Sequence, residues 1–304
     1  QETLVSAQGR GRMPSFYNGF KSLWLADKNY SWMKLRNGSY KDLVPDHYEL
    51  GYQVTAYGYE KYGAGFWNKI TNDAVRFRGM FYPFNRAVER YSGKTYRQFT
   101  KDAMQYFKNR ALPAQTKAAT ALTYLTEAEK NNVIDYRFAT FINDDSILVT
   151  KRSYKAIPAF CIISKGKETS IRLRDIGIDD YYSYRNGKVV YAAYQSDPRW
   201  TNREYSVIKL LDMYTGRQRQ ITSQSRLFSP DINEAGTEIL AVEVKPDGSN
   251  HLVRIDAQTG KQTATTPNSQ NYFFTQSKFI NSGTAVSAAR SPEGKMALIT
   301  IDLT

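Results

Sequence analysis

Few residues of this 304-residue chain have the types and spacing that catalysis requires. A hydrolytic zinc centre needs three protein ligands and an activated water, and the HExxH arrangement places two imidazoles one helical turn apart beside a Glu general base. The two histidines, His47 and His251, stand in opposite halves of the sequence, and neither is followed by Glu-x-x-His. The residues therefore predict that this chain alone holds no cofactor and is catalytically inactive.

Other reactive residues also lack the partners that chemistry would need. The sequence has no serine nucleophile elbow, phosphate-binding loop or dinucleotide fingerprint. Cys161, the single cysteine, lies in the apolar stretch AFCII, which predicts a buried, inert strand residue and excludes an internal disulfide. His47 either caps or packs a helix start, or lines a site beside Tyr48. Arg10 and Arg12 either bind a carboxylate or lie in a solvated turn.

The formal net charge of +13 raises the question of nucleic-acid binding. Residues 1–130 contain 20 Lys and Arg against 11 Asp and Glu, so most of the basic excess is N-terminal. It is spread thinly, because no block of five basic residues occurs and no RNA-recognition or zinc-finger signature is present. No run of about 18 apolar residues occurs either. We therefore expect no nucleic-acid partner and no membrane span.

Up to about residue 130 the apolar residues recur every three or four positions, the period of an amphipathic helix. Pro14 suits a first helical turn. The apolar residues that follow near one face are Phe16, Phe20, Leu23 and Leu25. Four more helices are predicted in the segments YELGYQVTAYGYEKYG, GAGFWNKITNDAVRFRG, YPFNRAVERYSG and TYRQFTKDAMQYFKNRA. The pattern predicts a helical domain over 1–130, ending in a linker at about 111–134 with one further helical patch.

Beyond residue 131 the apolar period changes to two, which predicts antiparallel strands of four to eight residues. Turn signals precede strands at 143–145, 185–187, 234–236 and 281–283, and DMYTG at 212–216 recurs as DAQTG at 256–260. Turns that repeat every 40 to 50 residues in an all-β sequence indicate propeller blades. Asp145, Asp231 and Asp256 are accordingly predicted to close turns rather than to bind a metal.

The repeat carries a resemblance to a known family. LFSPDINEAGTEILAVEVKPDGSNHLVRIDAQTGK starts with Ser229-Pro230-Asp231 and closes with Asp256-x-x-Thr-Gly260, and it resembles a blade of the TolB-like, WD40-like propellers. Weaker matches extend over most of 135–304. About four blades can be counted, so the chain holds a partial propeller or closes unusually. The expected fold class is a multi-domain α + β chain, a helical domain followed by antiparallel propeller-like blades.

The helical half resembles a second family in GRGRMPSF, RNGSYKDLVPDHYELGYQVTAYGYEKYGAGFW and PFNRAVERYSGKTYRQF. These stretches are similar to the part that follows the HExxH helix in gluzincin-type zinc peptidases, especially the peptidase-MA-like proteins fused to TolB-like propellers. The resemblance implies that Glu2 is a zinc ligand in the intact protein if an HExxH helix lies upstream of Gln1; otherwise Glu2 has no role. Tyr48 and Tyr52 would be candidates to stabilise an oxyanion there, with core packing as the other interpretation.

The segment YQSDPRWTNREYS is the longest aromatic insertion between predicted blade strands. Its Tyr194, Arg199, Trp200 and Tyr205 are the predicted binding residues, because an exposed Trp beside Arg can anchor a peptide or a sugar ring. The other interpretation is that Trp200 folds back, to cap the propeller or to pack on the helices. The two interpretations differ in whether the Trp200 ring is exposed.

Two functions from different classes follow from the sequence. The first is an envelope or secreted binding module whose propeller surface takes a protein, peptide or glycan. The alternative is the C-terminal portion of a secreted zinc metallopeptidase whose catalytic helix lies upstream of Gln1. The Tyr-rich composition, with 23 Tyr and 1 Cys, is typical of bacterial envelope proteins, so an extracytoplasmic location is expected, although the chain shows no signal peptide. The sequence makes no prediction of oligomeric state.

Overall fold

The computed structural model describes residues 13–77, 79, 81–111, 123–178 and 180–303. These described residues form two compact units. One unit holds the helices together with residues 130–133, and the other holds residues 123–129 and the strands. The predicted order of a helical part followed by antiparallel sheets is confirmed. The helical patch predicted within the linker falls partly on 112–122, outside the described residues, and residues 123–130 contain no helix.

Six α-helices occur in the described part of the helical unit, after a 3-10 turn at Pro14–Tyr17. They are α1 (Asn18–Leu25), α2 (Trp32–Asn37), α3 (His47–Tyr62), α4 (Phe66–Val75), α5 (Pro83–Ser92) and α6 (Tyr96–Ala111). Five of them match the predicted segments, whereas α2 was not predicted. It has only six residues, too few to show a period. Its N-cap is Ser31, whose hydroxyl accepts a hydrogen bond from the Lys34 backbone N–H.

The core of the helical unit is a cluster of aromatic rings around Phe99. Its fully buried ring lies 5.2 Å from Tyr57 and 5.6 Å from Phe66, measured between ring centroids. Gly58 lets α4 approach α3, because a Cβ at this position would lie 2.6 Å from the Trp67 indole. The prediction for Leu25 was wrong. It ends α1 with 59% of its surface exposed, because it lies about 200° around the helix axis from the buried Leu23.

The described strands form four antiparallel sheets, each made of strands consecutive in the chain. The first sheet contains β1 (Ile134–Asn143), β2 (Ser146–Ser153), β3 (Ala159–Ser164) and β4 (Lys167–Leu173). The second contains β5 (Ser183–Arg185), β6 (Lys188–Ser196), β7 (Glu204–Asp212) and β8 (Gln218–Gln220). The third contains β9 (Leu227–Ile232), β10 (Glu238–Val244), β11 (Asn250–Asp256) and β12 (Gln262–Thr266). The fourth contains β13 (Phe273–Phe279), β14 (Thr284–Arg290) and β15 (Met296–Asp302).

The sheets repeat one hairpin plan, as propeller blades do. The predicted turn signals all join the first and second strands of a sheet, and the DMYTG and DAQTG motifs both join the third and fourth. Neighbouring sheets share buried clusters: Phe160 with Tyr191, Val190 with Ile239, and Leu240 with Phe274. The described residues therefore form about four blades of a propeller-like domain. The predicted strand lengths were too uniform, since β1 has ten residues whereas β5 and β8 have three.

The three predicted turn aspartates occupy different environments. Asp256 closes its turn as predicted, because one carboxylate oxygen accepts the Thr259 backbone N–H at 2.6 Å. Asp145 also lies in a turn, between β1 and β2. The prediction for Asp231 was wrong, because it lies within β9 with 1% of its surface exposed. Its carboxylate accepts the Phe279 backbone N–H of β13 at 2.9 Å, so it joins two sheets.

Cys161 lies in β3 with its thiol buried, as predicted, and burial raises the pKa of the thiol. A raised pKa keeps the less reactive protonated form. No helix among the residues that the structure describes has the length and apolar character needed to cross a membrane.

Candidate functional site

The β6–β7 loop (residues 197–203) is held in one shape by Asp197. One oxygen of its carboxylate accepts the backbone N–H groups of Arg199 at 2.8 Å and of Trp200 at 3.2 Å. The other oxygen accepts the Tyr205 hydroxyl at 2.9 Å, and the Asp197 N–H donates to the Arg203 carbonyl across the loop. Sequence reasoning did not single out Asp197, although an Asp two residues before a turn commonly bonds the backbone that follows it.

The hydrogen bonds of this loop favour the ionised form of Asp197. The Arg199 N–H that donates to the carboxylate holds the pKa of Asp197 below its usual range, with the Tyr205 hydroxyl acting in the same direction. Arg203 lies beside the same carboxylate, 3.9 Å away, and its guanidinium stacks over the Tyr205 ring at 5.4 Å. Tyr205 is therefore a positioning residue whose hydroxyl and ring face are already occupied.

The structure places Trp200 at the exposed tip of the loop, with 64% of its surface accessible. This exposure does not fit the interpretation that Trp200 folds back to cap the propeller, whereas its role in binding stays a prediction. Arg199 is also exposed, and Tyr194 is partly exposed near the end of β6. Tyr194, Arg199 and Trp200 are thus accessible at one end of the second sheet. The fourth predicted residue, Tyr205, is half-buried and holds the loop through its hydrogen bond to Asp197.

Two exposed isoleucines at the same end of the second sheet were missed by sequence reasoning. Ile176 and Ile178 lie in the β4–β5 connection with 78% and 61% of their surfaces exposed. The Ile176 carbonyl accepts the Tyr194 N–H at 2.8 Å, which brings this connection against the end of β6. Their alternation in RLRDIGIDDYY was a signal, since two apolar side chains between acids and a glycine are unusual in a solvated loop.

The candidates in the helical unit are not arranged as an active site within the described residues. His47 is the first residue of α3 but not its cap, because Asp46 accepts the Tyr48 N–H at 2.7 Å. The His47 ring is exposed beside Tyr48 and contributes to a cavity of about 350 Å³ that Tyr48 does not line. Tyr52 packs against Phe16, with ring centroids 5.3 Å apart, so it serves the aromatic core.

A zinc centre does not fit the side chains in the described part of the chain. No group of three His, Cys, Asp or Glu residues there is close enough to hold a metal ion. His47 belongs to the helical unit and His251 to β11 of the sheet unit. Glu2, the ligand implied by the gluzincin resemblance, lies outside the described residues, as do Arg10 and Arg12. A zinc-binding role for Glu2 in the intact protein stays a prediction.

No protein-family model matches the chain, and no curated protein is significantly similar to it in sequence. Among solved structures, TolB from Acinetobacter baumannii is similar at 15% identity with a TM-score of 0.41, over 51% of this chain and 38% of that one. The β-propeller domain of the Trilobed protease from Pyrococcus furiosus is similar at 13% identity with a TM-score of 0.30, over 40% and 38%. A puromycin-hydrolyzing peptidase from Mycobacterium tuberculosis is similar at 12% identity with a TM-score of 0.32, over 55% and 27%.

These similar structures are a TolB protein and two peptidases, one of them represented by its β-propeller domain. The gluzincin resemblance of the helical part stays a prediction. The chain spans 38%, 38% and 27% of the three proteins. At these identities and TM-scores, no activity, substrate or partner is inferred from them.

Proposed function

We propose that this chain is a non-catalytic binding module that takes a protein or peptide partner at the end of its second sheet. The observation that carries the proposal is the exposure of Trp200 on a loop whose backbone Asp197 fixes. A large ring held outward on a rigid loop loses little conformational entropy on binding, which is the property of an interface anchor.

The neighbouring residues favour a protein over a sugar. Ile176 and Ile178 add branched apolar side chains, which a protein partner can bury. A sugar would instead require polar groups beside the ring to pair with its hydroxyls. Arg199 supplies a cation at the edge of this apolar area, and arginine is enriched with Trp at protein interfaces. A glycan ligand is the other outcome of the experiment below.

The proposal includes an extracytoplasmic location, periplasmic or associated with the outer membrane, which rests on the Tyr-rich, nearly Cys-free composition. Cell fractionation with an antibody to the chain checks this location. The alternative function, part of a secreted zinc metallopeptidase, has no supporting observation among the described residues. An HExxH helix encoded upstream of Gln1 would support it.

The test combines Trp200→Ala with photocrosslinking. A photoreactive phenylalanine replaces Arg199, and the protein is exposed to envelope extract of the source cells. We expect one crosslinked partner, with the yield reduced at least about tenfold by Trp200→Ala, because anchors of this kind contribute about 2 kcal/mol. The melting temperature should hardly change, since an exposed side chain contributes within about 0.5 kcal/mol to stability.

The matched control is Tyr214→Ala, an exposed aromatic residue in the β7–β8 turn at the opposite end of the same sheet. It should leave crosslinking unchanged. A large loss of thermal stability in Trp200→Ala would show that Trp200 is a packing residue. Equal crosslinking by both variants would remove this loop as the site. Capture of the protein by immobilised glycans, abolished by Trp200→Ala, would replace the protein partner with a sugar.

A further inference from the structure

A groove of about 1010 Å³ lies on the helical unit, among α2, α5, α6 and the connection before α2. One wall is a single face of α6, on which Arg97, Lys101, Met104 and Lys108 follow one another at helical spacing. The volume is large enough for a peptide segment of several residues. The groove belongs to one unit, so its shape depends only on helices that pack on a shared core.

The cations of this groove are available for a ligand. Arg97, Lys101 and Lys108 on α6 and Arg86 on α5 line the groove, and none forms an ion pair with another residue that the structure describes. Arg86, Arg97 and Lys101 are exposed. Four cationic side chains facing one concave surface create a field that attracts anions.

The two acids in the groove do not cancel this field. Asp102 is already paired with Lys94, which holds the pKa of that carboxyl below its usual range, and it accepts a hydrogen bond from the Gln98 amide at 2.7 Å. Glu89 is therefore the one acid of the groove without a cationic partner among the described residues. The groove keeps an excess of positive charge.

The rest of the groove lining includes aromatic and apolar side chains. Trp24, Trp32 and Tyr96 are half-buried there, and Met33 is exposed. The Trp32 and Tyr96 rings are in edge contact, with their centroids 5.8 Å apart. Methionine adapts its shape to different apolar partners. Asn29 and Asn85 add amide groups of the kind that pair with a peptide backbone.

We propose that this groove binds an extended acidic peptide segment, with carboxylates on the α6 face and apolar side chains on the Trp32 and Met33 side. On α6, Arg97 and Lys101 are about 6 Å apart along the helix axis. Acids at alternate positions of an extended peptide are about 7 Å apart, so successive carboxylates can reach both cations. The site is in a different unit from Trp200, and the proposal does not depend on the function proposed above.

A peptide fits this groove better than other polyanions. A sugar chain stacks on open aromatic faces, but the rings here are half-buried and the Lys34 ammonium covers the Tyr30 face at 3.9 Å from its centroid. A nucleic acid would place phosphates beside Glu89 and Asp102, at an electrostatic cost. A peptide can place its acids against α6 and neutral residues elsewhere.

The experiment uses the full chain and a fluorescein-labelled random copolymer of glutamate and tyrosine. Binding is followed by fluorescence anisotropy at neutral pH and near-physiological salt. We expect saturable binding that the double variant Arg97→Glu, Lys101→Glu weakens at least about tenfold, because two charge-assisted hydrogen bonds become repulsions. The milder Arg97→Gln, Lys101→Gln variant keeps the test valid if the charge reversal unfolds α6.

The matched control is Lys61→Glu, Lys69→Glu, which makes the same change in net charge at exposed positions outside the groove. It should weaken binding less than about twofold. Equal weakening by both double variants would show attraction to the net charge of the chain alone. The proposal is also overturned if the copolymer does not bind. Tighter, Arg97-dependent binding of a sulfated polysaccharide or of single-stranded DNA would assign the groove to that polymer instead.

Discussion

At the residue scale, two polar side chains of α3 have buried atoms without a hydrogen-bond partner among the described residues. Gln53 is fully buried, and neither its amide oxygen nor its amide nitrogen has a partner. One turn earlier, the Glu49 Oε2 atom is buried and also lacks one. Burial raises the pKa of Glu49 to about 7, and the negative charge of Asp46 acts in the same direction. An unpaired buried charge destabilises the fold that contains it.

This arrangement makes the stability of the helical unit depend on pH. The folded-state pKa of Glu49 lies above its unfolded value near 4.5, so the folded state binds more protons between these two values. The free energy of unfolding should therefore fall as the pH rises from about 4.5 to 7. Glu49→Gln removes this titration. The free energy of unfolding of the variant should therefore increase relative to that of the wild type by about 1–2 kcal/mol from pH 5 to pH 8, after allowance for the partial exposure of Glu49.

Urea unfolding followed by Trp fluorescence measures this difference. A Trp200→Phe background leaves Trp24, Trp32 and Trp67, which all belong to the helical unit. Glu89→Gln is the control, because it changes an exposed glutamate of the same unit in the same way. If Glu49→Gln and Glu89→Gln change stability by the same amount at both pH values, Glu49 does not titrate as the structure indicates.

At the scale of elements, the first strands of three consecutive sheets meet around Asp231. Its carboxylate on β9 accepts the Phe279 N–H of β13 and contacts the Lys278 ammonium at 3.4 Å. The next residue of β9, Ile232, donates its backbone N–H to the Ser183 hydroxyl of β5. Burial raises the pKa of Asp231 and lowers the pKa of Lys278 to about 8. The contact therefore adds to other polar links between these sheets, such as the Asn250 amide oxygen of β11, which accepts the Phe274 N–H of β13 at 2.8 Å.

Asp231→Ala should destabilise the sheet unit by about 2–4 kcal/mol, because it removes a buried carboxylate and leaves a partly buried N–H and a half-buried ammonium without their acceptor. Hydrogen–deuterium exchange by mass spectrometry should show faster exchange in peptides that cover β13. Asp256→Ala, which removes a half-buried turn aspartate, is the control and should cost about 1 kcal/mol or less. Unchanged exchange at β13 in Asp231→Ala would show that Asp231 is not needed to hold β13 against β9.

The sequence predicted the elements better than it predicted their contacts. The change of period near residue 131 and the repeated turns identified the helices and the sheets, because both signals are local. Helix α2 was not predicted, because six residues are too few to show an apolar period. The role of Asp231 was not predicted, because its partner, the Phe279 N–H, is 48 residues away in the sequence and comes close only in the folded chain. The groove of the helical unit was not predicted for the same reason, because its lining residues come from separate helices.

At the scale of the whole molecule, the buried residues form separate cores. The aromatic cluster around Phe99 contains only residues of the helical unit. The other buried clusters contain only strands of the sheet unit and their connections. A cooperative unfolding unit is defined by the core that its residues share. Each unit should therefore unfold as a cooperative block of its own.

Differential scanning calorimetry should thus show two transitions, and one chemical change made in each core can assign them. Ile70→Val and Ile208→Val each remove one methyl group from a fully buried side chain, in the helical and sheet units respectively. Each change should cost about 1 kcal/mol. Ile70→Val should lower one transition by about 4–8 °C and Ile208→Val the other by about 2–4 °C, because the sheet unit is larger and its unfolding entropy is greater. One transition shifted by both substitutions would show that the two cores unfold together.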